Sequence, residues 1–205
     1  MMPCKVCYIP MLEGQMGEVQ PWLDSVRSRF GVIPVLLPAV DWNDDLTPWP
    51  ADPIFKKAKP FGGEAETYLM QLESEIIPSL EAGMGIRPEE RWLVGVSLSG
   101  LFAVWAAAKT AMFNRVASIS GSFWYPGFTT WLKGRAVFAD AVYLSLGDKE
   151  ALSKNPHLQN IAAETTEVAQ ILESKGVRTT YEWTEGTHFA PILPRLDKAL
   201  TALAQ

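Results

Sequence analysis

Residues 92–103 read Trp92-Leu93-Val94-Gly95-Val96-Ser97-Leu98-Ser99-Gly100-Leu101-Phe102-Ala103, and the fold follows from this stretch. An apolar run with two valines ends at Val96. From Leu98 the composition turns to small residues and helix formers, a pattern that lasts to about residue 110. Only a tight turn fits between the two. A strand, a sharp turn and a buried helix around Gly-x-Ser-x-small make the nucleophile elbow, whose turn holds a serine in strained geometry with its hydroxyl above the sheet edge. The positions two before and two after that serine must be small, because strand and helix crowd there. Gly95 meets the first demand. Ser99 stands where a second glycine is usual; it is small and Gly100 follows, so the departure is tolerable. Ser97 is the candidate nucleophile. Ser99 is a poorer one, since its own flanks would be Ser97 and Leu101. The competing reading is a serine that merely caps the helix.

Outward from the elbow, short strand-like runs alternate with longer helical patterns. Strands are expected at 5–9, 32–37, 91–96, 116–120, 142–146 and 179–184. Helices are expected at 19–30, where Val19, Trp22, Leu23, Val26 and Phe30 share a stripe, and at 64–80, where Tyr68, Leu69, Leu72, Ile76 and Leu80 do. Further helices span 98–110 and 194–204. Asn155-Pro156 supplies a cap and a first-turn proline for one running to residue 174, which Gly176 stops. This alternation predicts an α/β fold: a mostly parallel sheet of about six strands with helices on both faces, one domain over 1–205. Ligands of such sheets bind beyond the carboxyl ends of the strands.

An activated serine needs a base. The chain has two histidines. His157 sits just inside a helix start, where the helix dipole disfavours an imidazolium. His188, in Glu185-Gly186-Thr187-His188-Phe189, follows the last strand on its carboxyl side and is the better base. A carboxylate must orient it, and Leu144-Ser145-Leu146-Gly147-Asp148-Lys149-Glu150 offers two, Asp148 and Glu150, which the residues alone leave open. The chain order Ser, acid, His is that of the α/β-hydrolase arrangement.

Two long connections leave strand carboxyl ends, residues 41–63 and 122–131. They carry nine of the chain's 22 aromatic residues: Trp42, Trp49, Phe55, Phe61, Phe123, Trp124, Tyr125, Phe128 and Trp131. Most are expected to pack the loops onto the sheet. The functional alternative is an aromatic cleft wall, with Trp42 and Trp124 as candidate substrate contacts. Lys56, Lys57 and Lys59 form a charge run that reads as solvated surface. No long insertion separates the fourth and fifth strands, which argues for an open site without a large lid.

Composition narrows the rest. Apolar residues make up 48% and charged residues 20% of 205, an ordinary globular balance. A net charge of -5 disfavours general nucleic-acid binding. No stretch approaches a membrane span or a secretory signal, so a cytoplasmic location with no membrane partner is expected. Cys4 and Cys7 lack the further ligands that zinc requires, and strand alternation points them to opposite faces. They are expected to be reduced core thiols.

The segments Ser97-Leu98-Ser99-Gly100-Leu101-Phe102-Ala103 and Ser118-Ile119-Ser120-Gly121-Ser122-Phe123-Trp124 resemble the putative esterase family of α/β-hydrolases, which includes siderophore esterases and esterase D-like enzymes. Residues 142–150 and 185–188 resemble its acid and histidine regions. Relatives often carry the acid three residues after the glycine, which favours Glu150 over Asp148. The resemblance implies hydrolysis of a small-molecule carboxylic ester through an acyl-enzyme, with no metal or organic cofactor. The tetrahedral oxyanion would lie on the backbone N–H of Leu98 and on a second N–H from residues 11–15, donors commonly worth roughly 3–4 kcal/mol each. Two other activities fit the same residues: acyl transfer, and ligand binding by a fold that has lost catalysis.

Overall fold

The computed structural model describes residues 4–11, 16–39, 41–54, 57–153, 155–189 and 191–205. Its centre is one six-stranded sheet of β1 (Lys5–Met11), β2 (Val32–Pro38), β3 (Glu90–Val96), β4 (Arg115–Ile119), β5 (Ala141–Gly147) and β6 (Arg178–Thr184), in the order β2-β1-β3-β4-β5-β6. All five pairings are parallel. Every residue of β5 is buried, as expected of a parallel strand covered on both faces.

The period-two alternation of the strands feeds two cores. On β1, Val6 and Tyr8 face one and Cys7 and Ile9 the other. The first core is covered by α3 (Ala65–Gln71), α5 (Leu98–Ala107) and α8 (Ile161–Ser174); α1 (Met16–Phe30) and α9 (Ile192–Ala204) cover the second. In α9, Leu196, Ala199, Leu200 and Leu203 repeat at helical spacing and are all buried. Among the described residues no helix is long and apolar enough to cross a membrane.

The strand order reverses between β1 and β3: the chain leaves β1 for β2 on one side and returns through β3 on the other. A crevice opens at the carboxyl ends of strands around such a switch point. Ser97 stands there, directly after Val96.

Three sequence expectations are corrected. The helix expected over 64–80 is interrupted by a π-helical turn at Leu72–Ile76, ahead of α4 (Ile77–Gly83). Pro78 has no N–H to continue the regular ladder, and the Ile77 N–H reaches back five residues to the Leu72 carbonyl instead. The helix expected from 155 to 174 is two, α7 (Pro156–Gln159) and α8, broken at Asn160. Cys7 is a fully buried thiol whose ionisation burial pushes far out of reach, but Cys4 lies before β1 and is only half-buried.

Candidate active site

Ser97 is held at φ 59 and ψ −121, a region that side-chain-bearing residues rarely occupy. Three backbone bonds impose the strain. The Ser97 N–H donates to the Ile119 carbonyl (3.0 Å), and its own carbonyl accepts from Leu101 (3.1 Å) and Ser122 (3.1 Å). The Ser97 hydroxyl makes no capping bond to α5. A Cβ on Gly95 would lie 2.0 Å from the Ser99 carbonyl oxygen, which is why only glycine fits there. Ser99 is itself buried, and its hydroxyl accepts from the Val96 N–H (2.7 Å) and donates to the Val96 carbonyl (2.9 Å). The departure at residue 99 therefore pins the elbow. Space is instead short at Gly100, where a Cβ would meet the Ser118 hydroxyl at 2.7 Å.

The turns after β5 and β6 are stapled together. The Asp148 N–H donates to the Thr184 carbonyl (2.8 Å) and the Lys149 N–H to that of Gly186 (3.0 Å), while the Asp148 carboxylate accepts from the Gly186 N–H (2.8 Å). Asp148 thus builds the turn and does not face the histidine. Glu150, in a 3-10 turn at Glu150–Leu152, does. Its Oε2 lies 2.9 Å from His188 Nδ1, and His188 Nε2 lies 3.1 Å from Ser97 Oγ.

The other Glu150 oxygen accepts from the Gly147 N–H (2.7 Å), the Ser120 hydroxyl and an Arg195 Nη2 at 3.3 Å. Burial raises the Glu150 pKa, but the bonds from His188, Ser120 and Gly147 outweigh it and hold the carboxyl below its ordinary range. An ionised Glu150 can only accept a hydrogen bond, so Nδ1–H donates to it and the Nε2 lone pair is left toward the Ser97 hydroxyl.

Residues 12–195 match the family described as putative esterase. The chain belongs to that family. It is 32% identical over 138 residues to the uncharacterized protein YbbA of Bacillus subtilis (strain 168), a match that spans 65% of this chain and 55% of that protein's length. The fold superposes on an IroE-like serine hydrolase from Shewanella oneidensis with a TM-score of 0.78 at 20% identity, covering 98% of this chain and 70% of the other. It also superposes on siderophore hydrolase EstB from Aspergillus nidulans, with a TM-score of 0.74 at 16% identity, covering 98% and 83%.

In this member of the family a cavity of about 400 Å³ opens beside His188 and Glu150. Its walls include Trp124, Leu152, Leu158, Ile161 and Phe189, with Lys149 at the polar side. Leu152 is 77% exposed and Phe189 91%, and the Phe189 ring stands edge-on to the His188 imidazole at 5.4 Å. Leu158 of α7 and Ile161 at the start of α8, on either side of the break, both line this space.

Of the two tryptophans expected to contact substrate, Trp124 lines the cavity. Trp42 opens α2 (Trp42–Asp45) and packs half-buried against the core, away from the lining. Most of the other rim aromatics lock the loops together: Trp49 packs on Tyr125 (5.9 Å) and Trp131 (6.0 Å), and Phe61 on Tyr125 (5.4 Å). Lys59 is tied to Asp41 (2.5 Å) and Asp44 (2.8 Å) within its own loop. Leu98 heads α5, so its N–H has no carbonyl one turn back to receive it. The second oxyanion donor expected at 11–15 falls, past Met11, outside the described residues, as do Phe55, Lys56 and the His157 side chain.

Two contacts of Glu150 were not foreseen. Ser120 lies in the quoted 118–124 segment at a left-handed φ of 48, a sign of strain only the backbone reveals. Arg195 is a charged residue on the buried face of α9, one turn before Ala199. That position on an apolar stripe is the signal that could have found it.

Proposed function

We propose that the protein hydrolyses carboxylic esters through a Ser97–His188–Glu150 triad. The observation that carries this reading is the unbroken chain from Ser97 Oγ to His188 Nε2 at 3.1 Å and from His188 Nδ1 to Glu150 Oε2 at 2.9 Å. Ser97 attacks the ester carbonyl while His188 takes its proton. Glu150 fixes the imidazole tautomer and stabilises the imidazolium that forms. The Leu98 N–H stabilises the oxyanion, His188 returns the proton to the leaving alcohol, and water then attacks the acyl-enzyme by the same route. None of these steps calls on a metal or an organic cofactor.

The apolar cavity beside His188 suits an aryl or branched acyl ester of modest size, with Lys149 available to a polar or anionic substituent. Family membership supports ester chemistry over loss of catalysis. The elbow supports it as well, since strain of this kind is stored where a mechanism uses it. Because one structural neighbour is described as a siderophore hydrolase, esters of that class belong in a substrate screen.

The test is hydrolysis across acyl and alcohol groups, with Ser97→Ala as the blank. The variant is expected to lose about 10⁴-fold or more in kcat on an activated aryl ester. Near-normal turnover by Ser97→Ala would overturn the assignment.

A further inference from the structure

Arg195 reaches from α9 into the site, with a side chain only 4% exposed. Its Nη2 donates to the Ser120 hydroxyl and lies 3.3 Å from Glu150 Oε1, while its Nε and Nη1 are buried with no partner among the described residues. As a purely structural residue this is a poor arrangement. Two unmatched donors are costly, and an apolar side chain would continue the stripe of Leu196, Ala199 and Leu200. What an apolar residue could not supply is a permanent positive charge beside a carboxylate that is itself 4% exposed.

We propose that Arg195 is a positioning residue for the triad, whose guanidinium balances the buried Glu150 charge and so keeps the His188 imidazole free to act as base further into the acid range. The proposal rests on the triad reading. Without the guanidinium, the coupled Glu150–His188 pair would take up a proton at higher pH, whichever of the two carried it. The sign is therefore the same for both routes: the acid limb of activity moves upward.

The surrounding charges leave this role to Arg195. Three side chains face Glu150: His188 from the turn after β6, Arg195 from α9 and Ser120 from just past β4. On β6, the Tyr181 phenol is pushed up by burial and by Glu150; on β5, burial does the same to Tyr143, whose hydroxyl donates to Glu182 (2.7 Å). Both stay neutral. Lys198 pairs with Glu182 (3.3 Å), Asp148 is committed to Gly186, Lys149 lines the cavity, and Glu185 borders a second pocket together with Arg195 and Lys198. Among the described residues Arg195 is the fixed cation within ion-pair distance of Glu150.

The chain has only two histidines, so ¹³C-labelled histidine gives two titrating signals, and His157→Gln identifies His188. In Arg195→Gln and Arg195→Met the His188 midpoint is expected to rise by about 1–2 pH units, as removal of one charge several ångströms away implies. Arg195→Lys should recover more than half of that shift. The acid limb of kcat/KM should move in step. An unmoved midpoint in a folded neutral variant overturns the proposal.

If neither neutral variant folds, Glu150→Gln/Arg195→Met decides the matter. Recovery of the fold supports charge balance, and failure to recover makes Arg195 structural and overturns it. A shifted midpoint in an enzyme that cleaves no ester would sink the esterase reading alone. Ester cleavage with an unmoved midpoint would sink only the role of Arg195.

Discussion

Glu150 Oε2 lies 2.9 Å from His188 Nδ1, whereas Asp148, two residues earlier, spends its carboxylate on the Gly186 N–H. The two acids therefore predict different losses. Glu150→Gln should lower kcat by about 10²–10⁴-fold, because the imidazole loses both its tautomer and its counter-charge. Asp148→Asn should stay within about threefold in kcat while costing roughly 0.5–1.5 kcal/mol of stability. Steady-state kinetics on one aryl ester and a urea titration of each variant check both, and equal kinetic losses would reject the division of roles.

The elbow should tolerate nothing larger than glycine at residue 95. A Cβ there would meet the Ser99 carbonyl oxygen at 2.0 Å and its carbon at 2.2 Å, backbone atoms that can move only by distorting the turn. Gly95→Ala is expected to destabilise the fold by about 3 kcal/mol or more and to abolish activity. Gly83→Ala is the contrast. It ends α4 with no atom within 4 Å of the new Cβ, and should be neutral or stabilising by up to about 1 kcal/mol.

Leu152 and Phe189 are large apolar side chains left exposed beside an apolar cavity, which is where substrate burial would be rewarded. Phe189→Ser should raise KM for aryl or branched acyl esters about 5- to 20-fold and leave kcat on an acetyl ester within about twofold. Thermal stability should not change. An equal loss on all esters would place Phe189 in the chemistry rather than in substrate binding.

Stability should carry a signature of Glu164 on α8. Burial, and then Glu167 beside it, push its pKa up to about 7, and its Oε2 is buried without a partner among the described residues. A carboxyl raised in the folded state is bound to a proton there and ionised in the unfolded chain across roughly pH 4.5–7, so its cost is absent below that window and complete above it. Glu164→Gln should therefore raise Tm by about 1–3 °C at pH 8 and leave it unchanged at pH 4, as read by differential scanning calorimetry. The same gain at both pH values would contradict the assignment.

Much of this site was legible because its chemistry is local in the chain. Gly95 and Ser97 belong to one turn, and His188 follows directly after a strand, so pattern alone placed both at the carboxyl edge of the sheet. Glu150 and Asp148 could not be separated that way. Bonds between the turns after β5 and β6 decide between them, a tertiary relationship that spacing does not encode. Ser120 and Arg195 were missed for a similar reason, since one acts through an unusual backbone angle and the other across 45 residues. The Asn155-Pro156 cap and the Gly176 stop mark the two ends of one helix and carry no sign of the break between α7 and α8.

The most direct test of the central claim is stoichiometric labelling with a fluorophosphonate, followed by peptide mass spectrometry, because only an activated serine reacts quickly with this reagent. The account predicts one adduct per chain on the peptide that contains Ser97, slowed in Glu150→Gln and absent in Ser97→Ala. An unlabelled wild-type protein, or an adduct on any other residue, would contradict it.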